Sequence, residues 1–311
     1  PRLNCRRQRQ MCIRDRVATG PQKRLPAAGR LRSVCGQPVS LMTRFSLLII
    51  FFSSLHLAMP DSAKTQEFDI VTPLTQLTGE DHSYGIDFLF FTRLAEGDLR
   101  LSATTEANVL RAELIGRTLG IASWLAGERT QTYRSLMRIM PDGSLDSIEH
   151  ESEITKKKWG QWKNRGKIRR FDYERGKITE IRLKQGVISS TKELDIPVGK
   201  HPVDILTAFY NLRCGVYGPL QRGTRILIPT YSGKGFIDFE VNVLSREEQG
   251  RQDYFPDHGL LIQVNVDPEI FDTNSGSLYV WFDEQGIPGR GIVEDMIGWG
   301  DVRGYLDKEG T

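Results

Sequence analysis

From Ser83 onward the chain breaks into short stretches rich in β-branched and aromatic residues, and turn pairs such as Asp142-Gly143, Arg175-Gly176 and Gln185-Gly186 separate them. Glycine in such a pair supplies the positive φ that a tight hairpin requires, so neighbouring stretches must run antiparallel. The β-like segments are 84–91, 98–103, 108–114, 130–140, 147–153, 167–173, 177–183 and 187–194, then 224–230, 236–244, 259–266, 277–283, 287–294 and 298–306. No strand–helix–strand alternation occurs, which argues against a parallel nucleotide-binding sheet. The expected fold is therefore mostly β: an antiparallel meander forming a curved sheet or barrel-like domain. Open and closed versions give the same hairpin signals.

One helical pattern interrupts the meander at 202–213, PVDILTAFYNLR. Pro202 suits the first helical position, and Asp204 complements the positive end of the helix dipole. Ile205, Leu206, Phe209 and Leu212 recur at steps of three and four, which makes an apolar stripe. The helix is expected to cover or plug one side of the curved sheet. Asp204, Tyr210 and Arg213 form a polar set on it and are candidate ligand-binding residues.

Ahead of the β region, Met42 and Arg44 lead into an apolar run from Phe45 to Ala58. At about 14 residues the run is shorter than the roughly 20 a helix needs to cross a bilayer. Residues 42–63 therefore read as a signal peptide, with an uncleaved inner-membrane anchor as the alternative, and the expected location is periplasmic. Residues 1–41 carry ten Lys or Arg against Asp15 alone, lack hydrophobic periodicity, and read as a non-native or disordered basic leader. Within them RRQRQMCIRDR, at 6–16, looks like translated sequencing adapter, which places the expected start at Met42. Residues 64–81, with Pro73 and Gly79, read as a linker, and 82–308 as a single antiparallel β domain.

The net charge of +3 becomes −6 once the +9 of residues 1–41 is set aside. A mildly acidic chain offers no overall electrostatic footprint for DNA or RNA, so no nucleic-acid partner is expected. Cys214 is the one cysteine after residue 41. It follows an apolar helical run and reads as a buried structural residue. His82, His150, His201 and His258 show no metal-ligand spacing, so no metal and no cofactor are expected. Asp87, Asp283, Glu294 and Asp295 lie near aromatics and leave a glycan-acting hydrolase as a third reading, but nothing in the sequence brings two of them together and no catalytic residue is assigned.

Two stretches carry binding candidates. Lys156 to Lys184 holds twelve basic residues against three acidic ones, with Trp159 and Trp162 interleaved. Such a zone suits lipid phosphates or another envelope polyanion, with the indoles at an interface. Trp159, Trp162, Lys163 and Arg165 are its candidates, against the plainer reading of solvated hairpin faces. The second stretch, GRTLGIASWLAG at 116–127, is apolar and glycine-bracketed. It reads as a lid over a lipid-sized cavity, a membrane-touching tip, or a segment packed back into the core, and Trp124 is its candidate.

DILTAFYNLR at 204–213, FEVNVLSREE at 239–248 and SLYVWFDEQGIPGRGIVEDMIGWGDVRGYL at 277–306 resemble the domain-of-unknown-function family 3108. The likeness spans most of 82–306. It implies a bacterial envelope protein with an antiparallel, barrel-like β fold, and it implies no activity. The turn Asp283-Glu284-Gln285-Gly286 and the Gly289 that follows Ile287-Pro288 depart from the usual pattern of that family. The leading expectation is a non-catalytic binding or carrier module for an apolar or lipid-like ligand. The second is a structural or interaction protein of the envelope that recruits anionic partners through its basic hairpins. Peripheral membrane contact fits both, and the oligomeric state is left open.

Overall fold

The computed structural model describes residues 70–307 apart from 89–90, 121–126, 159, 233–234, 272 and 297–299. The expected signal peptide and basic leader lie outside the described residues, as do Trp124 and Trp159.

Each of the fourteen β-like segments is a strand. The first run is β1 Asp81–Phe88, β2 Phe91–Ala103, β3 Val109–Thr118, β4 Glu128–Ile139, β5 Leu145–Lys158, β6 Gln161–Asp172, β7 Lys177–Lys184 and β8 Val187–Asp195. The second is β9 Arg225–Ser232, β10 Gly235–Val243, β11 Leu260–Asn265, β12 Ser277–Phe282, β13 Pro288–Met296 and β14 Gly300–Leu306. Short helices are α1 Leu74–Leu77, α2 Ile205–Arg213 and α3 Arg246–Gly250. Among the described residues no helix is long and apolar enough to cross a membrane.

The strands form one sheet in the order β8-β7-β6-β5-β4-β3-β2-β1-β14-β13-β12-β11-β10-β9, every neighbouring pair antiparallel. Two meanders therefore join through their outer members: Tyr84 of β1 stands opposite Leu306 of β14, and Ile86 opposite Gly304. β8 and β9, neighbours in the chain, are the opposite edges of the sheet. Pro229 fits that edge position, since a proline has no N–H to give a central ladder. The sheet is not closed by hydrogen bonds, but it curls until side chains from its two ends touch. Phe171 of β6 and Ile178 of β7 pack with Tyr231 of β9, and Tyr173 and Phe236 join them.

The connection from β8 to β9 runs through α2. Asp204 is its N-cap and Ile205 its first residue, so the helix begins later than Pro202. The reason is local: Val203 is tied to β9 by a parallel bridge with Thr230, its N–H donating to Pro229 O and its carbonyl accepting from Tyr231 N. That pairing holds 202–203 extended. The helix then lies between both meanders. Leu206 and Tyr210 pack against Leu99, Leu110, Tyr133 and Met137 of the first. Ala208 and Leu212 pack against Ile228, Phe239, Val241 and Ile262 of the second, while Ile205 and Phe209 reach both. Residues 70–81, within the stretch expected as a linker, pack into the domain as well: Ile70 bridges Leu220, and Ile70 and Leu77 are buried.

Candidate functional site

The polar residues of α2 point into two separate anchors. Asp204 is 1% exposed and accepts five hydrogen bonds. They come from Ser135 Oγ at 2.6 Å, Ser147 Oγ at 2.7 Å, Thr207 Oγ1 at 2.7 Å, Leu206 N at 2.9 Å and Thr207 N at 3.1 Å. The last two are N-cap bonds; the first two come from β4 and β5 and fasten the start of the helix to the sheet. Burial by itself raises the pKa of this carboxyl, but the adjoining His150 and the Ser135 and Ser147 donors outweigh it and hold Asp204 well below the usual carboxylate range. Ser135, His150 and Asp204 lie together without forming a charge relay. His150 Nδ1 is the atom facing both Ser135 Oγ, at 2.9 Å, and Asp204 Oδ1, at 3.4 Å, whereas a relay uses opposite ring nitrogens. Ser135 is also fully buried.

At the other end of α2, Glu80 Oε1 accepts from Tyr210 Oη at 2.8 Å and from Arg213 Nη1 at 2.7 Å, and His82 Nε2 lies 3.4 Å from Oε2. Arg213 Nη2 donates to Gly286 O at 3.3 Å, and its guanidinium lies over the Phe209 and Tyr210 rings. Burial pushes the Glu80 pKa up, but hydrogen bonds from His82, Arg213 and Tyr210 and the Arg213 charge prevail and lower it. Burial and the same carboxylate push the Tyr210 hydroxyl up. Asp204, Tyr210 and Arg213, expected as one ligand-facing set, thus divide between two internal anchors. None of the three lines the apolar cavity or the basic cleft beside the helix.

An apolar cavity of about 250 Å³ lies against the helix. Ile205, Leu206, Ala208, Phe209 and Leu212 form one wall, and Leu99, Leu114, Ile228, Val241, Ile262, Val264 and Val280 contribute to the other. Next to it is a cleft of about 460 Å³ lined by Gln131, His150, Ser152, Arg165, Lys167, Arg169, Arg182 and Lys184. Tyr133, Ile205, Phe239 and Ile270 line both hollows. Tyr133 Oη donates to Ile270 O at 2.5 Å, which fixes the neck between them. Small-molecule sites span about 300–1,000 Å³ and are mostly apolar with a few placed polar groups; the two hollows together have that character.

Of the other candidates, Arg165 lines the cleft. Trp162 is 51% exposed near the tip of the β5–β6 hairpin, with Lys157 Nζ 5.2 Å from its ring centre. Lys163 is exposed opposite Lys156. Cys214 follows the last residue of α2, half-buried, and burial pushes its thiol pKa up. Asp283 accepts from Gln285 N and Ile287 N within its own turn, and Asp87 from Arg93 N. Among the described residues no group of three His, Cys, Asp or Glu side chains is placed to hold a metal.

A comparison with curated proteins finds no match. The crystal structure of a beta-barrel-like protein of domain of unknown function DUF1849 from Brucella abortus is similar at 10% identity and a TM-score of 0.40, over 77% of this chain and 98% of that one. The family model described as protein of unknown function, DUF3108, matches residues 82–307, and the chain belongs to that family.

Proposed function

We propose that this protein is a non-catalytic binding or carrier module of the cell envelope that shelters an apolar, lipid-like ligand. One observation carries the reading: the cavity against α2 is walled by aliphatic and aromatic side chains from the helix and from both meanders. A hollow with such a lining favours apolar matter over water, and its size suits part of a hydrocarbon chain. The periplasmic location is part of the proposal and rests on the apolar run at 45–58.

Native mass spectrometry of the full chain purified from the envelope, followed by calorimetric titration with dodecyl glucoside below its micelle concentration, tests this. A co-purifying lipid, or saturable binding of the glucoside, is expected. Ala208 is buried and lines the cavity, so Ala208→Phe should occupy the space and abolish binding while the circular dichroism spectrum is retained. A chain that binds no amphiphile refutes the carrier.

A second reading, contact with an anionic membrane, is favoured by the exposure of Trp162 beside Lys157 at a hairpin tip. Replacing Lys157, beside Trp162, and the exposed Lys163 by Gln should then weaken binding to vesicles of anionic lipid, and unchanged binding would leave the hairpin as solvated surface.

A further inference from the structure

The inner faces of β4 to β7 carry side chains in cross-strand rows. Ser135, His150, Arg169 and Glu180 stand opposite one another in sequence across the four strands, all buried. This row is internally neutralised, with Arg169 Nε 3.2 Å from Glu180 Oε2. Two residues along each strand the row is Tyr133, Ser152, Lys167 and Arg182; two further it is Gln131, Ile154, Arg165 and Lys184. Lys167 therefore faces Arg182 directly, and Arg165 faces Lys184.

Like charges directly opposite on one face of a sheet destabilise it. Among the described residues nothing offsets them fully. Arg182 reaches Glu180 Oε1 at 2.9 Å, but Glu180 also serves Arg169. Among the described residues no carboxylate forms an ion pair with Arg165, Lys167 or Lys184, and Glu269 is the one acid lining the cleft. Four cationic heads thus stand around a cleft that shares its neck, Tyr133, Ile205, Phe239 and Ile270, with the apolar cavity.

We infer that the cleft receives the acidic head of the same molecule whose chain occupies the apolar cavity, so that the ligand is an anionic amphiphile with a phosphate or carboxylate head. This rests on the carrier reading and specifies its ligand class. Guanidinium and ammonium groups recognise oxyanions, and an oxyanion among them turns two repulsive pairs into four attractive contacts.

Calorimetric titration of the full chain with dodecyl phosphate, dodecyl glucoside and inorganic phosphate, each below any micelle concentration, separates the outcomes. Dodecyl phosphate should bind about tenfold or more tightly than the glucoside at low salt, a preference that falls as ionic strength rises. Arg165→Gln/Lys167→Gln/Lys184→Gln leaves the Arg182–Glu180 pair in place and removes repulsion, so the variant should fold at least as stably as the parent. It should bring the two affinities within about twofold, through a loss of dodecyl phosphate affinity. Equal affinities in the parent, or a preference that survives the triple substitution, would overturn the inference and leave the carrier standing. Inorganic phosphate binding as tightly as dodecyl phosphate would make the cleft a free-anion site and overturn it too. If no amphiphile binds, both readings fail.

Discussion

Replacing Asp204 tests whether the helix is held by its cap carboxylate. Asp204→Ala removes the N-cap acceptor of α2, which costs about 0.5–2 kcal/mol in other helices. It also takes the acceptor from the hydroxyls of Ser135, Ser147 and Thr207, all nearly inaccessible to water. A buried polar group left without its partner costs about 1–3 kcal/mol. Two fallbacks reduce that loss: Ser135 Oγ retains His150 Nδ1 at 2.9 Å, and Ser147 Oγ retains Thr207 Oγ1 at 3.1 Å. The whole loss is then about 3–5 kcal/mol, a large part of the roughly 5–15 kcal/mol that stabilises an ordinary domain. Asp204→Asn keeps one carbonyl acceptor and lets the hydroxyls near its amide turn round to accept, so about 1–2 kcal/mol is expected.

Equilibrium urea unfolding followed by circular dichroism measures these differences, and acid checks their origin. The folded pKa of Asp204 is depressed, so its contribution is fully present above the unfolded carboxylate value, about 3.9, and is lost as pH falls through the lower folded value. The gap between the parent and Asp204→Asn should therefore narrow between pH 5 and pH 2. An Asp204→Ala loss below about 1 kcal/mol, or a gap that does not change with pH, would refute the reasoning.

Two further perturbations probe the rest of the frame. Glu80→Gln should destabilise by about 3–5 kcal/mol because it leaves the Arg213 guanidinium buried without its counter-charge. Glu80→Gln/Arg213→Met should recover part of that loss in the same unfolding assay, and additive single effects would show that the pair is not coupled. Gly259 adopts φ +64°, and a Cβ there would lie 2.2 Å from Phe282 O, whereas Gly143, at φ +86°, has nothing within 4 Å. Both Ala variants carry the left-handed strain of about 1–2 kcal/mol. Gly259→Ala alone adds a backbone clash, so its thermal midpoint should fall well below that of Gly143→Ala; equal midpoints would contradict the close approach.

The strands were legible because alternation along a half-buried strand is local. In KITEIRLK, Ile178 and Glu180 lie on the inner face, and Lys177 and Thr179 on the other. The order of the sheet was not legible. Tyr84 and Leu306 pair across more than two hundred residues, and nothing in either segment's pattern names its partner. The anchors were only half legible. Asp204 reads from sequence as a favourable charge at a helix start, yet nothing in the strand pattern names Ser135, Ser147 and His150, more than fifty residues away, as its partners. Aliphatic residues that line a cavity carry the same pattern as those that fill a core, so Val264 and Val280 gave no warning of the hollow they wall.

The basic stretch shows most clearly what register adds to composition. Along β6, Arg169, Lys167 and Arg165 are equivalent by alternation, three cations at successive inward positions. What separates them is the residue opposite on β7: Glu180 for Arg169, Arg182 for Lys167 and Lys184 for Arg165. The first pairing is a buried ion pair that the fold requires, because removing either partner strands a charge among buried side chains. The other two are repulsions that the fold tolerates because they open toward water at the mouth of the cleft. A single step of two residues thus passes from charge that builds the domain to charge left over for a ligand. A slip of two residues between β6 and β7 would exchange those roles, since Lys167 would then meet Glu180. The hydrogen-bond ladder from Arg165–Lys184 to Asp172–Lys177 holds that register, and with it the placement of every cation in the cleft.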